Sequence, residues 1–200
     1  MLQRLFVILV AALLAAPVSA AQQLPTEDQQ TVDSIQHALV RLPYYGVFDY
    51  LAFRYDKGTV TLSGYAYAAG LKRDAVSAVK GIPRVDKVVD QIEQLPASPN
   101  DDRIRWRAFY KIYNDTVLSR YAPGGALSVR FDRGFLSPRY PGTQPFGVYP
   151  IHIVVDRGRT RLLGVVDTEA DKTIAGFRAR EVPGTFGVEN QLVIPPRAAR

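Results

Sequence analysis

LAFRYDKGTVTLSGYAY at residues 51–67 and IHIVVDRGRTRLLGVVD at residues 151–167 are one pattern written twice, a hundred positions apart. Each stretch alternates apolar and polar side chains up to an Asp-x-Gly, then alternates again up to a second glycine. Alternation is the period of a strand, and Asp-x-Gly is hairpin-turn chemistry. The first stretch therefore reads as a strand from Tyr50 to Tyr55, a turn at Asp56-Lys57-Gly58, and a strand from Thr59 to Tyr67. Leu51, Phe53, Val60 and Leu62 share one face, with Arg54, Thr61 and Ser63 opposite. The second stretch repeats this with Ile151, Ile153 and Val155, the turn Asp156-Arg157-Gly158, and then Leu162, Gly164 and Val166. Asp56 and Asp156 are expected to bond their own turn backbone, while Gly58 and Gly158 take positions of positive φ. Gly64 lies on the buried side, where a missing side chain lets a helix or backbone come close.

The repeat extends on both sides of the hairpins. Lys72, Ala75, Pro83, Val88 and Gln91 recur as Lys172, Ala175, Pro183, Val188 and Gln191. Ile82/Val182, Asp90/Asn190 and Ile92/Leu192 are near-equivalents. Leu71, Ala75, Ala78, Val79 and Ile82 form the inner stripe of a helix over 71–80, and a strand from Val85 to Leu95 follows. In the second module the helix spans Glu169 to Arg180 and the last strand runs from Phe186 to Ile194. Each hairpin is preceded by a further helix. Val32, Ile35, Leu39 and Leu42 mark one, with Thr31 as its N-cap and Pro43 ending it. Ile104, Ala108 and Ile112 mark the other, capped by Asp101 or Asp102. Trp106, Tyr110, Tyr113 and Val117 make this helix apolar around much of its circumference, so it is expected to contact more than its own sheet. The unit is α-β-β-α-β, and the fold class is α+β: two modules, each a small mixed sheet packed on two helices.

One large difference separates the modules. Residues 122–149, APGGALSVRFDRGFLSPRYPGTQPFGVY, are inserted before the second hairpin. Their prolines and glycines argue against regular structure, and their aromatics argue for a packed surface loop. Arg130, Phe131, Arg133, Phe135, Arg139, Tyr140, Phe146 and Tyr149 are the candidate surface-contact residues.

The first twenty residues read as an export signal. Arg4 is the positive start, Leu5 to Ala16 the apolar run, and Val18-Ser19-Ala20 a small-x-small cleavage site before Ala21. A membrane span needs roughly 20 apolar residues, and this run is shorter and broken by Pro17. No later segment approaches that length. The expected division is a signal at 1–20, a loose lead-in at 21–30, modules at 31–95 and 102–195, a linker at 96–101 and a tail at 196–200. The absence of cysteine removes disulfides, thiolate chemistry and a lipid-modified cysteine together. The formal charge of +6 falls to +5 without Arg4, a modest excess favouring anionic partners such as phospholipid head groups or glycans. Export makes nucleic acid an unsuitable partner.

Catalytic constellations are sparse. His37 and His152 fall in separate modules and are expected at the surface. Asp167, Glu169 and Asp171 cluster where carboxylates cap a helix start, and no calcium loop surrounds them. Gly124-Gly125 lacks the lysine of a phosphate loop. No cofactor, metal or catalytic residue is expected. Tyr44, Tyr45, Phe48, Tyr50, Tyr65 and Tyr67 are dense enough to have two readings: contact with a bilayer interface, or packing on the sheet and between the modules. Arg54, Lys57, Lys72, Arg73, Lys80, Arg84 and Lys87 make the first module basic around its helix and turns, suited to the bilayer reading.

The order of these parts resembles the BON domain (bacterial OsmY and nodulation). It is carried by LAFRYDKGTVTLSGYAY followed by GIPRVDKVVDQIEQL, and by IHIVVDRGRTRLLGVVDTEADKTIAG followed by EVPGTFGVENQLVI. With their leading helices the two matches cover about residues 30–195. Thr160 and Thr185 depart from it, since the family usually has valine there, and so does the insert. The resemblance implies an exported, typically periplasmic, non-enzymatic protein that binds anionic phospholipid or other envelope surfaces. It also implies a part in envelope integrity or osmotic-stress tolerance. Asp56, Gly58, Gly64, Asp156, Gly158 and Gly164 are the family's scaffold turns. The alternative is a protein–protein adaptor docking an envelope partner through the 122–149 insert.

Overall fold

In a computed structural model, residues 26–123, 145 and 147–196 are described. The first module comprises α1 (Thr26–Val40), β1 (Tyr50–Asp56), β2 (Thr59–Ala66), α2 (Leu71–Lys80) and β3 (Lys87–Gln94). The second comprises α3 (Pro99–Tyr113), a short 3-10 turn (Leu118–Tyr121), β4 (Ile151–Asp156), β5 (Arg159–Gly164), α4 (Glu169–Arg180) and β6 (Gly187–Asn190). Each module holds a three-stranded mixed sheet, ordered β1-β2-β3 and β4-β5-β6. The hairpin strands are antiparallel, and the strand returning from the crossover helix runs parallel to the second hairpin strand.

The hairpin turns follow from their residues. Lys57 and Gly58 have φ 44° and 81°, and Arg157 and Gly158 have 48° and 75°. Two central residues with positive φ match the right-handed twist of the flanking strands. The Asp side chains play no part in this among the described residues, and Asp156 Oδ1 is buried without a hydrogen-bond partner. The turn amides of Arg157 and Gly158 instead donate to Asp101 on α3, at 3.0 and 2.8 Å. Gly64 and Gly164 have φ 119° and 117°, and a Cβ on either would strike the carbonyl of residue 50 or 150. This backbone approach holds both glycines in place.

Two helix starts differ from the sequence reading. α1 begins at Thr26, so residues 26–30 are helix rather than lead-in. Glu27 and Asp28 in its first turn complement the helix dipole, which outweighs the polar composition. Thr31 lies a turn inside, buried, its hydroxyl donating to the Glu27 carbonyl at 3.0 Å. α3 begins at Pro99 behind an N-cap Ser98 whose hydroxyl accepts from the Asp101 amide at 3.2 Å. The linker thus narrows to 96–98, and Asp101 is free to hold the distant hairpin turn.

The two modules share an apolar interior. Ile35, Leu39, Val60, Leu62, Leu71, Ala75 and Val79 form the first core. The second is built on Ile104, Phe109, Ile112, Ile151, Ile153, Leu162 and Ala175, and it also takes in Val47 and Phe48 from the first module. Phe48 meets Trp106 and Phe109 edge-on, with centroids 5.5 and 6.4 Å apart. A third small cluster joins Leu95 to Val154 and Leu163, with Tyr50, Tyr65 and Tyr67 packed around it. Most of the tyrosine-rich face is therefore used between the sheets, although Tyr44 is 63% exposed.

Candidate functional site

Alternation places His152, Val154, Arg161 and Leu163 on the face of the second sheet opposite its helices. That face would be solvated in a lone module. Here the first module covers it. His152 is buried, its ring 5.5 Å from those of both Tyr45 and Tyr50, with Nε2 3.3 Å from the Tyr45 hydroxyl. Burial brings the His152 pKa down to about 4, against a lesser upward pull from the backbone at Asp49 and Gly46. Burial likewise pushes the Tyr45 phenol up. The expectation of a surface histidine fails because the covering residues come from a module whose position local sequence does not encode. His37 remains on α1.

Arg105 is another buried polar group of this seam, wholly excluded from solvent. It bonds the Asp102 carboxylate at 2.5 Å and the Val155 carbonyl, and its guanidinium carbon lies 4.6 Å from the centroid of the Tyr67 ring. A buried guanidinium is tolerated only with such partners, so Arg105 ties α3, β4 and the first module together. Elsewhere in the second module, Asp171 gathers bonds from Thr168, Tyr121 and Arg120. Burial raises its pKa, but these bonds together hold it below the usual carboxylate range. Thr168 is the α4 N-cap, its hydroxyl accepting from the Asp171 amide, so Asp171 fastens this helix start.

A different chemistry appears at the tip of the second hairpin. Phe186 is 82% exposed. Its amide donates to the Gly158 carbonyl at 2.8 Å, and its ring lies across that turn glycine. Arg157 and Arg159 flank the same turn, both exposed and without an ion pair among the described residues. Arg107 reaches the adjoining loop at the Pro183 carbonyl, 3.5 Å away. In the first module the equivalent amide, Asp86, makes the same 2.8 Å bond to Gly58. One backbone position thus carries a carboxylate in one module and an exposed phenyl ring between arginines in the other.

The net charge is divided in the same way. Residues 26–95 hold eight Lys and Arg against nine Asp and Glu, whereas residues 96–200 hold sixteen against ten. The basic helix and turns expected in the first module are balanced by their own acids, as in Lys72–Asp90, Arg73–Asp74 and Arg84–Glu27. The excess of basic residues thus lies in residues 96–200, with Arg130, Arg133, Arg139, Arg197 and Arg200 among them outside the described residues.

Of the expected contact residues, Arg130, Phe131, Arg133, Phe135, Arg139, Tyr140 and Phe146 lie outside the described residues. Tyr149 is a core residue, 7% exposed and packed against Phe109 and Tyr113 with centroids 6.0 and 5.3 Å apart. Ala122, at the other end of the insert, is buried too. The insert's ends are thus anchored in the second core. Sequence reading passed over Phe186, although the change from Asp86 to Phe186 at a shared repeat position was visible. No group of three His, Asp or Glu suited to a metal occurs among the described residues. No helix among them is long and apolar enough to cross a membrane.

No curated protein matches this sequence. Among solved structures, the chain is similar to the C-terminal domain of CdsD, a structural protein of the Type III secretion system of Chlamydia trachomatis. The identity is 13% and the TM-score 0.27, covering 82% of this chain and 97% of that one. A second structure of CdsD from Chlamydia trachomatis aligns at 13% identity and TM-score 0.27, covering 84% and 93%. The family model described as BON domain matches residues 53–96 and 141–196, together half of the chain and one segment in each module. With both hairpins, both crossovers and both turn glycines in the same places, the chain belongs to the BON domain family as a tandem member.

Proposed function

We propose that this is a non-enzymatic periplasmic protein that binds anionic phospholipid surfaces of the envelope and supports envelope integrity or osmotic-stress tolerance. The supporting observation is the Phe186 tip, an exposed phenyl ring set between Arg157 and Arg159 on the basic module. Burying a phenylalanine is worth roughly 1.5–3 kcal/mol. Each arginine near an anionic surface adds about 1 kcal/mol. Together they give weak, reversible and salt-sensitive attachment. The signal-like N-terminus supports the compartment, and the family supports a binding role.

Co-sedimentation of the mature chain with phosphatidylglycerol vesicles over a salt series tests this. Binding should exceed that to phosphatidylcholine vesicles, weaken as salt rises, and be lost in Arg157→Glu/Arg159→Glu. Phe186→Asp, which installs the residue of the first module, should weaken it several-fold. Binding indifferent to lipid charge and salt would sink the proposal. The adaptor reading makes a different forecast: salt-insensitive capture of one envelope protein, lost on deleting residues 124–144. That deletion leaves Ala122 and Tyr149 in the core.

A further inference from the structure

A short turn of the first module closes the contact between the two. The Asp49 amide donates to the Gly46 carbonyl at 3.3 Å, so residues 46–49 fold back on themselves. The buried Asp49 carboxylate fixes this turn to the chain just beyond β2, accepting from the amides of Gly46, Tyr67 and Ala68 at 3.1, 2.6 and 3.1 Å. On the side of the second module the turn is held by less. The Val47 carbonyl accepts from the Ile153 amide at 2.8 Å, and the Val47 amide donates to the Pro145 carbonyl at 3.2 Å. Phe48 enters the second core beside Trp106 and Phe109, and Tyr45 closes over His152.

His152 is the titratable group beneath this turn. Its Nε2 meets the Tyr45 hydroxyl, whereas its Nδ1 is buried with no hydrogen-bond partner. The first module brings to it the phenols of Tyr45 and Tyr50, and the Asp49 carboxylate is already taken up by three amides. On the second sheet Leu163 lies opposite the histidine, and Arg161 pairs with Glu189. Arg105, along the same seam, pairs with Asp102. No carboxylate among the described residues therefore bonds the imidazole. An imidazolium carries a proton on both nitrogens, and a charge buried in an apolar contact needs a partner that this seam does not supply.

We propose that His152 makes the contact between the modules an acid-released latch: on its protonation the turn at 45–49 lifts from β4, Phe48 leaves the second core, and the slot beside Trp106 and Phe109 opens while each module keeps its own sheet. The device is separate from the Phe186 tip and independent of lipid binding. Its direction follows from linkage. Burial holds the His152 pKa at about 4 in the closed contact, against 6.5 for an exposed ring, so the open form binds the proton more tightly. The equilibrium moves toward the open form as pH falls from 6.5 toward 4, by about twentyfold between pH 7 and pH 5.

Hydrogen exchange on the full mature chain at several pH values tests this, read as protection factors so that the intrinsic pH dependence of exchange drops out. The Val47 and Ile153 amides, which hold the turn, should be less protected than the ladder amides of β2 and β5, since they open without the rest of the fold. Their protection should fall about twentyfold from pH 7 to pH 5. His152→Phe, which leaves an uncharged ring in the seam, and His152→Ala should each remove that dependence, with protected ladder amides showing that the variants are folded. Val47 and Ile153 amides as well protected as the ladders at pH 5 would overturn the proposal, because the contact would then open only with the whole chain. Protection that does not change with pH overturns it too, as does a fall of the same size in both variants.

Discussion

The two modules keep the same backbone and change the side chains according to what each surface meets. Position 54 in the first module is an exposed arginine, whereas position 154 in the second is a wholly buried valine under the first module's tyrosines. Position 52 is alanine, and 152 is a histidine sealed between two tyrosines. Position 86 is aspartate and 186 an exposed phenylalanine. Turn geometry and register are conserved between the modules because they depend on neighbours in the chain. The divergent positions are those that meet the other module or the outside.

The comparison breaks most visibly at Phe48, which belongs to the first module by chain order and to the second by packing. Phe48→Ala should cost about 3–5 kcal/mol, the usual range for a large aromatic removed from a core. Calorimetry should then resolve two transitions where the parent shows one. A single transition at an unchanged temperature would mean that the modules do not depend on this plug.

His152 gives the next effect. It takes a proton near 6.5 in the unfolded chain but only near 4 when folded, so the unfolded state binds more protons between these values. Stability should decline as pH falls through that window, by roughly 3 kcal/mol at its lower end. Urea titrations at several pH values should show this slope, and His152→Ala, restoring the first module's residue, should flatten it.

The smallest change expected is a gain. Thr160 and Thr185 occupy valine positions of the first module, Val60 and Val85, and both hydroxyls are buried without a partner. Thr160→Val should raise the urea midpoint with a gain of about 1 kcal/mol, because an unsatisfied buried hydroxyl is removed at almost constant shape.

Much of the fold was legible in local sequence. The hairpins, both crossover helices and the positive φ at Gly58 and Gly158 follow from alternation, helical spacing and turn chemistry. The site was less legible. Tyr149 reads as a surface residue because it ends an irregular stretch, and His152 because alternation sets it on the outward face of its hairpin, yet each is buried by residues far away in sequence. Asp101 looked like a cap and instead holds a turn more than fifty residues on. Arg105 could not be recognised as buried, since beyond Asp102 on its own helix its partners are a carbonyl on β4 and a ring in the other module.

Sequence alone determined the α+β class, the duplication and the scaffold residues, because periodicity and backbone conformation are governed by residues within a few positions of each other. Tertiary structure alone decided which faces are covered and which aromatic reaches solvent. Those outcomes depend on contacts such as that of Tyr45 with His152, 107 residues apart, where burial rather than local preference sets the energy.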